Sequence, residues 1–357
     1  MRYDAIVVGA GIHGLCAALW LRQQGRERVA VLEQHAAGHD LGSSHGSTRI
    51  TRSSYHEAQF VRLAAAAHRD GWPTLERALG RALRIPTPGV FFGPPDGPFG
   101  AYLRATLVAS DQVEAVPTAR AAALFPLLRF EPGDAVLVDH SAAMLLAAAT
   151  MAGLREWLLA AGVELHYETP VVALRAAPNA IEVVAADTTR HSRGVVVAAG
   201  AGGARLLPTA VPRLRVLHQQ VGYFDVDAAP DTLAAGAFPV WARIGRTQND
   251  FEYGLPAFDG AGLKAAMHRT GGPDEEHHAL PPIDAPALLA LANRRFTRPV
   301  RGLQRAERCR YTMTDDQGFV VARAPNAPRL VVVAACSGHG FKFGPEIGRQ
   351  AAALLPS

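Results

Sequence analysis

The segment Ile6-Val7-Val8-Gly9-Ala10-Gly11-Ile12-His13-Gly14-Leu15, followed by Val29-Ala30-Val31-Leu32-Glu33, constrains this chain more than any other. It reads as a buried strand, a tight glycine turn, a helix, a second strand and an acidic residue at that strand's end. The glycines have separate tasks: Gly9 permits the turn, Gly11 lets backbone approach a pyrophosphate, and Gly14 lets helix and strand pack closely. A helix starting at Ile12 offers free N–H groups and the positive end of its dipole, while Glu33 lies where a carboxylate takes ribose hydroxyls. A bare GxGxxG is weak, but the preceding strand, the following helix and the acid beyond the second strand make this a dinucleotide site.

With 357 residues, 49% of them hydrophobic and 19% charged, the chain is long enough for a large core and two domains. The formal charge of +4 comes from scattered arginines without a dense basic block, so no nucleic-acid partner is expected. No apolar run is long enough to span a bilayer, and Met1-Arg2-Tyr3-Asp4 leads at once into the nucleotide strand, which predicts a cytoplasmic protein with no membrane partner. Cys16, Cys309 and Cys336 form no CxxC spacing, so neither a metal site nor a disulfide scaffold is expected.

A donor-rich loop, Gly42-Ser43-Ser44-His45-Gly46-Ser47-Thr48-Arg49-Ile50-Thr51-Arg52, follows the opening unit and is too polar for a core. Periodicity predicts a helix from Glu57 to about Leu79, a strand at Val90-Phe91-Phe92 and a helix from Ala142 to Ala161. Strands are expected at Val163–Tyr167, Val171–Leu174, Gly194–Ala199 and Leu330–Ala335, a β-rich region from Gly222 to about Phe319, and a closing helix over Gly344–Leu355. Nucleotide-domain signals thus occur at the start, middle and end. The predicted division is residues 1–80, 141–212 and 320–357 for the dinucleotide-binding domain and 81–140 and 213–319 for a substrate domain.

Together with the N-terminal fingerprint, His45–Arg52, Tyr253-Gly254-Leu255-Pro256 through Lys264, Cys309-Arg310-Tyr311-Thr312-Met313-Thr314 and Ser337-Gly338-His339-Gly340-Phe341-Lys342-Phe343 resemble the monomeric sarcosine oxidase and N-methyltryptophan oxidase family, in order along the chain. The resemblance implies an α/β fold: a Rossmann-like FAD-binding domain with an inserted, mainly antiparallel β substrate domain. It implies oxidation of the C–N bond of a secondary amino acid to an imine, with molecular oxygen reduced to hydrogen peroxide, by a monomer whose FAD is joined to a cysteine.

Cys309 falls on that cysteine, and the adjacent Arg308 and Arg310 are expected to favour its thiolate. Arg52 and Lys342 match a clamp for the substrate carboxylate, in which a planar guanidinium binds two oxygens and an ammonium adds a point charge. Thr48 and Arg49 match positions beside the isoalloxazine, Lys264 matches a lysine that promotes oxygen reduction, and Tyr253, His268 and His45 align with active-site neighbourhoods or serve as structural side chains. The glycines of Gly338-His339-Gly340-Phe341 would let backbone approach the flavin, and Ser44, Val171 and Gly200 fall along the cofactor. His13 reads as a helix-start residue, Cys16 as a buried thiol, and Cys336 carries no assigned chemistry. Gly200-Ala201-Gly202 and Asp316-Gln317-Gly318-Phe319 depart from the family's bulkier patterns, which leaves the substrate open. The alternatives are a dehydrogenase with another electron acceptor, a primary amino-acid oxidase, and a flavoprotein without catalysis.

Overall fold

The computed structural model describes residues 2–356 apart from 56, 178, 248, 249 and 277, so Met1 of the opening segment lies outside it. A six-stranded sheet runs in the order Glu164–His166, Val29–Leu32, Ala5–Val8, Val195–Val197, Ala327–Ala334, Val320–Ala324. Its first five strands are parallel and the last pairs antiparallel. The central strands are apolar throughout because each face meets a different layer. Ala5 and Val7 join a core with Leu15, Leu154 and Ile347 of three helices, Ile12–Gln23, Ala147–Ala160 and Gly344–Leu354. Ile6 and Val8 turn the other way, against Ile181 and Val183 of a four-stranded sheet built on Val171–Ala177, Ala180–Ala185 and Thr189–Ser192.

An eight-stranded sheet is the second large element, and its longest strands, Arg215–Val226 and Val300–Met313, pair antiparallel over their length. The other six include Leu263–Met267, Phe251–Leu255 and Ala135–Asp139, with one parallel pairing between Val240–Ile244 and Gly89–Gly93. Helix Ala285–Arg295 packs Leu288, Leu291 and Ala292 against it. Among the described residues no helix is long and apolar enough to cross a membrane.

Three expectations change. The stretch from Ala142 to Ala161 is not one helix: Ala143–Leu146 is a strand between Thr48–Thr51 and Arg84–Pro86, and the helix begins at Ala147. Pairing on both edges overrides the helical preference of Ala, Met and Leu there. The helix expected from Glu57 to Leu79 is broken into Ala58–Ala66, a π-helical turn Ala67–Gly71, and Trp72–Leu79. Pro73 lacks an N–H and its ring crowds the carbonyl four residues back, and the wider π turn relieves both. The second β-rich region starts at Arg215 rather than Gly222.

Candidate active site

A cavity of about 1560 Å³ extends from the carboxyl ends of the six-stranded sheet to the face of the eight-stranded one. This is where an open parallel sheet presents a crevice for ligands. At its start Gly9 has φ +102°, and a Cβ there would lie 2.4 Å from the Ala198 carbonyl oxygen. A Cβ on Gly14 would lie 1.9 Å from the Gly9 carbonyl oxygen. Gly11 differs, since its Cβ would meet only the Ser44 hydroxyl, at 3.3 Å. Packing therefore demands Gly9 and Gly14, whereas Gly11 keeps a cradle open to the cavity. Ile12 N–H donates to Ser44 Oγ at 3.1 Å, and Glu33 accepts from the amides of Ala10 at 2.8 Å and His35 at 3.0 Å. Val171 and Gly200 line the same region, the latter at φ +53° with nothing within 4 Å of an added Cβ.

The donor-rich loop delivers Thr48 and Arg49 on the strand Thr48–Thr51. The Thr48 carbonyl accepts from Arg49 Nη1 at 2.9 Å and from Lys264 Nζ at 3.3 Å, and the Arg49 guanidinium lies 5.5 Å from the Phe341 ring centre. Lys264, on a central strand of the eight-stranded sheet, is buried; desolvation first and Arg49 second bring its ammonium down to about 7, against the opposing pull of Glu307.

Cys309 faces the same cavity from the strand Val300–Met313. Its basic neighbours are not those expected: side chains alternate along a strand, and Arg308 donates to the Pro281 carbonyl at 2.7 Å while Arg310 reaches the Leu41 carbonyl. The cations that lower its thiol are Arg49 and Lys264, working against the desolvation that dominates and raises it.

Arg52 Nε donates to the Ser54 carbonyl at 3.0 Å and to Tyr102 Oη at 3.2 Å, and its guanidinium stands 4.5 Å from the Tyr55 ring centre. Lys342 Nζ donates to the His339 carbonyl at 3.0 Å and lies 5.6 Å from the same Tyr55 ring. The two proposed clamp residues, 290 positions apart in the numbering, thus both lie against the Tyr55 ring, which attracts cations through its quadrupole. Burial, then the charges of Arg52 and Arg49, hold the Lys342 ammonium well below its usual range. A carboxylate entering between Arg52 and Lys342 would relieve that repulsion.

His268 Nδ1 lies 3.1 Å from Tyr311 Oη, its ring 6.3 Å from that of Tyr253, and desolvation drives it down to about 3, so it is a neutral imidazole at working pH. Gly338 has φ +73°, and a Cβ there would strike the Tyr311 ring at 2.7 Å. A Cβ on Gly340 would lie 1.7 Å from the Ala335 carbonyl oxygen, so packing within the turn already requires this glycine without any approach to a ligand. His13 does more than start a helix: its Nε2 lies 3.2 Å from the Gly340 carbonyl and ties the first helix to the closing loop. Cys16 is buried, and Cys336 Sγ accepts from Thr312 N–H at 3.4 Å.

The residues fit a flavin dinucleotide on structural grounds. His45 Nε2, Tyr55 Oη, Tyr167 Oη and His339 Nδ1 are buried in the cavity wall without a hydrogen-bond partner among the described residues. Such orphaned groups are rare in a finished interior and point to an absent polar ligand. Sequence reading passed over Tyr55, Tyr102 and Asp139, and placed Tyr311 within its motif without giving it a role. Tyr311 was findable, because it lies two residues from Cys309 and so on the same face of the strand; the other three become visible only through their contacts.

A family model described as FAD dependent oxidoreductase (DAO) matches residues 4–354. The chain is similar to monomeric sarcosine oxidase of Streptomyces avermitilis, at 29% identity with 99% of this chain and 93% of the relative covered. It is similar to N-methyl-L-tryptophan oxidase of Yersinia pestis, at 28% identity over 99% and 94%. Among solved structures, NikD, an unusual amino acid oxidase essential for nikkomycin biosynthesis, superposes with a TM-score of 0.84 at 22% identity over 99% and 93%. Glycine oxidase from Geobacillus kaustophilus does so at 0.81 and 17% over 99% and 94%, and these structural likenesses speak for the fold.

Proposed function

Because the chain belongs to the FAD dependent oxidoreductase family and is an FAD-dependent enzyme, we propose that it oxidises the C–N bond of a secondary amino acid, N-methylated or cyclic, to an imine and passes the electrons to oxygen, giving hydrogen peroxide. The observation that carries this reading is the convergence of Arg52 and Lys342 on one Tyr55 ring, in the cavity that Lys264 and Cys309 also line. Two buried cations that repel each other are a receptor for one anion. The relatives similar to this chain include enzymes named for sarcosine and N-methyl-L-tryptophan, which agrees with an N-methyl amino acid as substrate.

On this reading Gly11, Ile12, Glu33, Ser44, Val171 and Gly200 hold the nucleotide end of FAD, and Thr48, Arg49, His45, Gly338, Gly340 and Phe341 surround its ring system, with Cys309 as the point of covalent attachment. The sheet assembled from residues 5–8, 29–32, 164–166, 195–197 and 320–334 supports the discontinuous FAD-binding unit of 1–80, 141–212 and 320–357. FAD, when bound, supplies the acceptor for the electron pair removed from the C–N bond. The protein supplies orientation: Arg52 and Lys342 fix the carboxylate, which fixes the adjacent carbon and nitrogen. His268 and Tyr253 wall the site, and the depressed pKa of His268 removes it as a source of positive charge. No residue of the site motifs has an obvious general-base role, so the amine is expected to react in its neutral form. Lys264, buried with its ammonium lowered to about 7, offers a positive charge in its protonated form where oxygen gains electrons.

The test is product stoichiometry with purified FAD-loaded protein. One peroxide should form for each imine produced from an N-methyl or cyclic amino acid. Turnover with an artificial acceptor but no peroxide in air would replace the oxidase by a dehydrogenase.

A further inference from the structure

Arg52, Ser53, Ser54 and Tyr55 follow the strand Thr48–Thr51, ahead of the helix Ala58–Ala66, and belong to no helix or strand themselves. Their amides must find partners elsewhere, because a buried N–H without one is strongly disfavoured. Those of Ser53 and Ser54 find Asp139, the last residue of the strand Ala135–Asp139 in the eight-stranded sheet, and the Ser53 amide also reaches Ser141 Oγ at 3.2 Å.

Asp139 is 0% exposed. Its Oδ2 accepts from the Ser53 amide at 3.0 Å and the Ser54 amide at 2.9 Å. Its Oδ1 accepts from the Ser141 amide at 2.9 Å and the Ser141 hydroxyl at 2.6 Å, and the Ser53 hydroxyl stands 3.3 Å from either oxygen. These partners are all donors, a set that an acceptor-only carboxylate satisfies and a side-chain amide does not. The strand register fixes Asp139 opposite Gly89 on one side and Val113 on the other, so the anchor is part of a sheet.

From the clamped amides the geometry passes directly to Arg52. The Ser54 carbonyl accepts both Arg52 Nε and the Tyr102 hydroxyl, at 3.0 and 2.9 Å, and Tyr102 in turn accepts from Arg52 Nε. Arg52 is thereby held through Nε, and its terminal nitrogens are uncommitted in the hydrogen bonds among the described residues. Tyr55, which both proposed clamp cations overlie, follows the clamped Ser54 directly.

We propose that Asp139 is a positioning residue for substrate carboxylate binding, acting through the Ser53 and Ser54 amides to set where Arg52 and Tyr55 stand. This rests on the reading of Arg52 and Lys342 as a carboxylate clamp. Asp139 touches neither substrate nor cofactor on this account. Its effect should fall on affinity for carboxylates and not on the flavin or on oxygen.

The experiment compares FAD-loaded wild type with Asp139→Asn by titrating acetate and methylthioacetate against the flavin spectrum, alongside flavin content, thermal midpoint and the rate at which oxygen restores the reduced protein. A side-chain amide places an N–H against amides that need an acceptor, and a displaced guanidinium loses bidentate geometry. We expect carboxylate binding to weaken by about 10- to 100-fold, KM to rise more than kcat falls, and flavin content and reoxidation rate to stay unchanged. Ser141→Ala removes a hydroxyl that donates to Asp139 and accepts from the Ser53 amide at 3.2 Å but leaves the carboxylate with both clamped amides, so it should weaken carboxylate binding less than Asp139→Asn does. Hydrogen exchange on wild type adds an arm that needs no variant: the Ser53 and Ser54 amides should exchange as slowly as sheet amides. Unchanged carboxylate affinity in Asp139→Asn overturns the positioning role and leaves the amino-acid oxidase reading intact, as does fast exchange at Ser53 and Ser54. Parallel loss of flavin, thermal midpoint and affinity overturns it in favour of a general structural role. A wild type that binds no carboxylate brings down the clamp reading and this inference together.

Discussion

Binding of a carboxylate at the proposed clamp should depend on pH in a way that Lys342 dictates. In the ligand-free site the Lys342 ammonium is held well below its usual range, by burial first and then by Arg52 and Arg49. A bound carboxylate brings a negative charge beside it and raises that value. Ligand binding is then linked to proton uptake between the two pKa values. Affinity is greatest below the ligand-free pKa and falls by about tenfold, or about 1.4 kcal/mol, per pH unit until the liganded pKa is passed. His268, His339 and Lys264 are buried titratable groups of the same cavity. His268 lies at about 3 and His339 far below 6.5, both through desolvation. Lys264, at about 7, is the exception, and a Lys264→Met background isolates Lys342 from it. The assay is acetate titration of FAD-loaded protein, read in the flavin spectrum, at intervals over the whole pH range in which the protein keeps its fold and its flavin. Lys342→Met should lose the slope and weaken binding at the acid end by about 2–5 kcal/mol, the range for losing one partner of a desolvated charge pair. An equal slope in Lys342→Met and wild type, or affinity that rises with pH, would refute the reasoning.

If Cys309 carries the flavin, acid-precipitated wild type keeps its yellow colour in the pellet; Cys309→Ser should release the colour to the supernatant and Cys336→Ser should not. Lys264→Met should slow reoxidation of the reduced protein by orders of magnitude, since a buried charge interaction of about 4 kcal/mol is worth about a thousandfold in rate. Equal stopped-flow rates with oxygen would remove Lys264 from the reaction. The glycines of the first turn should separate by phenotype: Gly14→Ala places a Cβ 1.9 Å from the Gly9 carbonyl oxygen and should lower the thermal midpoint steeply, while Gly11→Ala, which meets only the Ser44 hydroxyl, should fold and lose FAD affinity. A Gly11→Ala protein that takes up FAD like wild type would contradict the cradle.

The opening βαβ unit was legible because each of its constraints is local. A glycine turn between an apolar strand and a helix admits few alternatives, and the structure places Gly9 and Gly14 in contacts that explain them, while Glu33 accepts from the amides of Ala10 and His35. The break in the helix at Ala67–Gly71 was half legible: Pro73 stood in the sequence as a warning, but the π turn that absorbs it is set by packing of Gly71 against Pro345. The strand Ala143–Leu146 was illegible, because Ala-Met-Leu-Leu favours a helix until two neighbouring strands claim its edges. At the site, motif resemblance singled out Arg52, Lys264, Cys309 and Lys342 singly. Their relations were beyond it. The cations that act on Cys309 come from Arg49 and Lys264, far away in sequence, while the adjacent Arg308 and Arg310 are taken up by the Pro281 and Leu41 carbonyls. Tyr55 and Asp139 carry no motif; only a shared ring and a set of hydrogen bonds reveal them.

The central claim, that an amino acid and not a simple amine is oxidised here, is tested most directly by anaerobic mixing. FAD-loaded protein is mixed with an N-methyl amino acid and, separately, with the same N-methyl amine lacking its carboxylate, and bleaching of the flavin is followed. The clamp of Arg52 and Lys342 predicts rapid bleaching by the amino acid and bleaching by the amine slower by at least about 30-fold, corresponding to loss of about 2 kcal/mol from an unfilled charge pair. Bleaching by the amine at an equal or greater rate would contradict it.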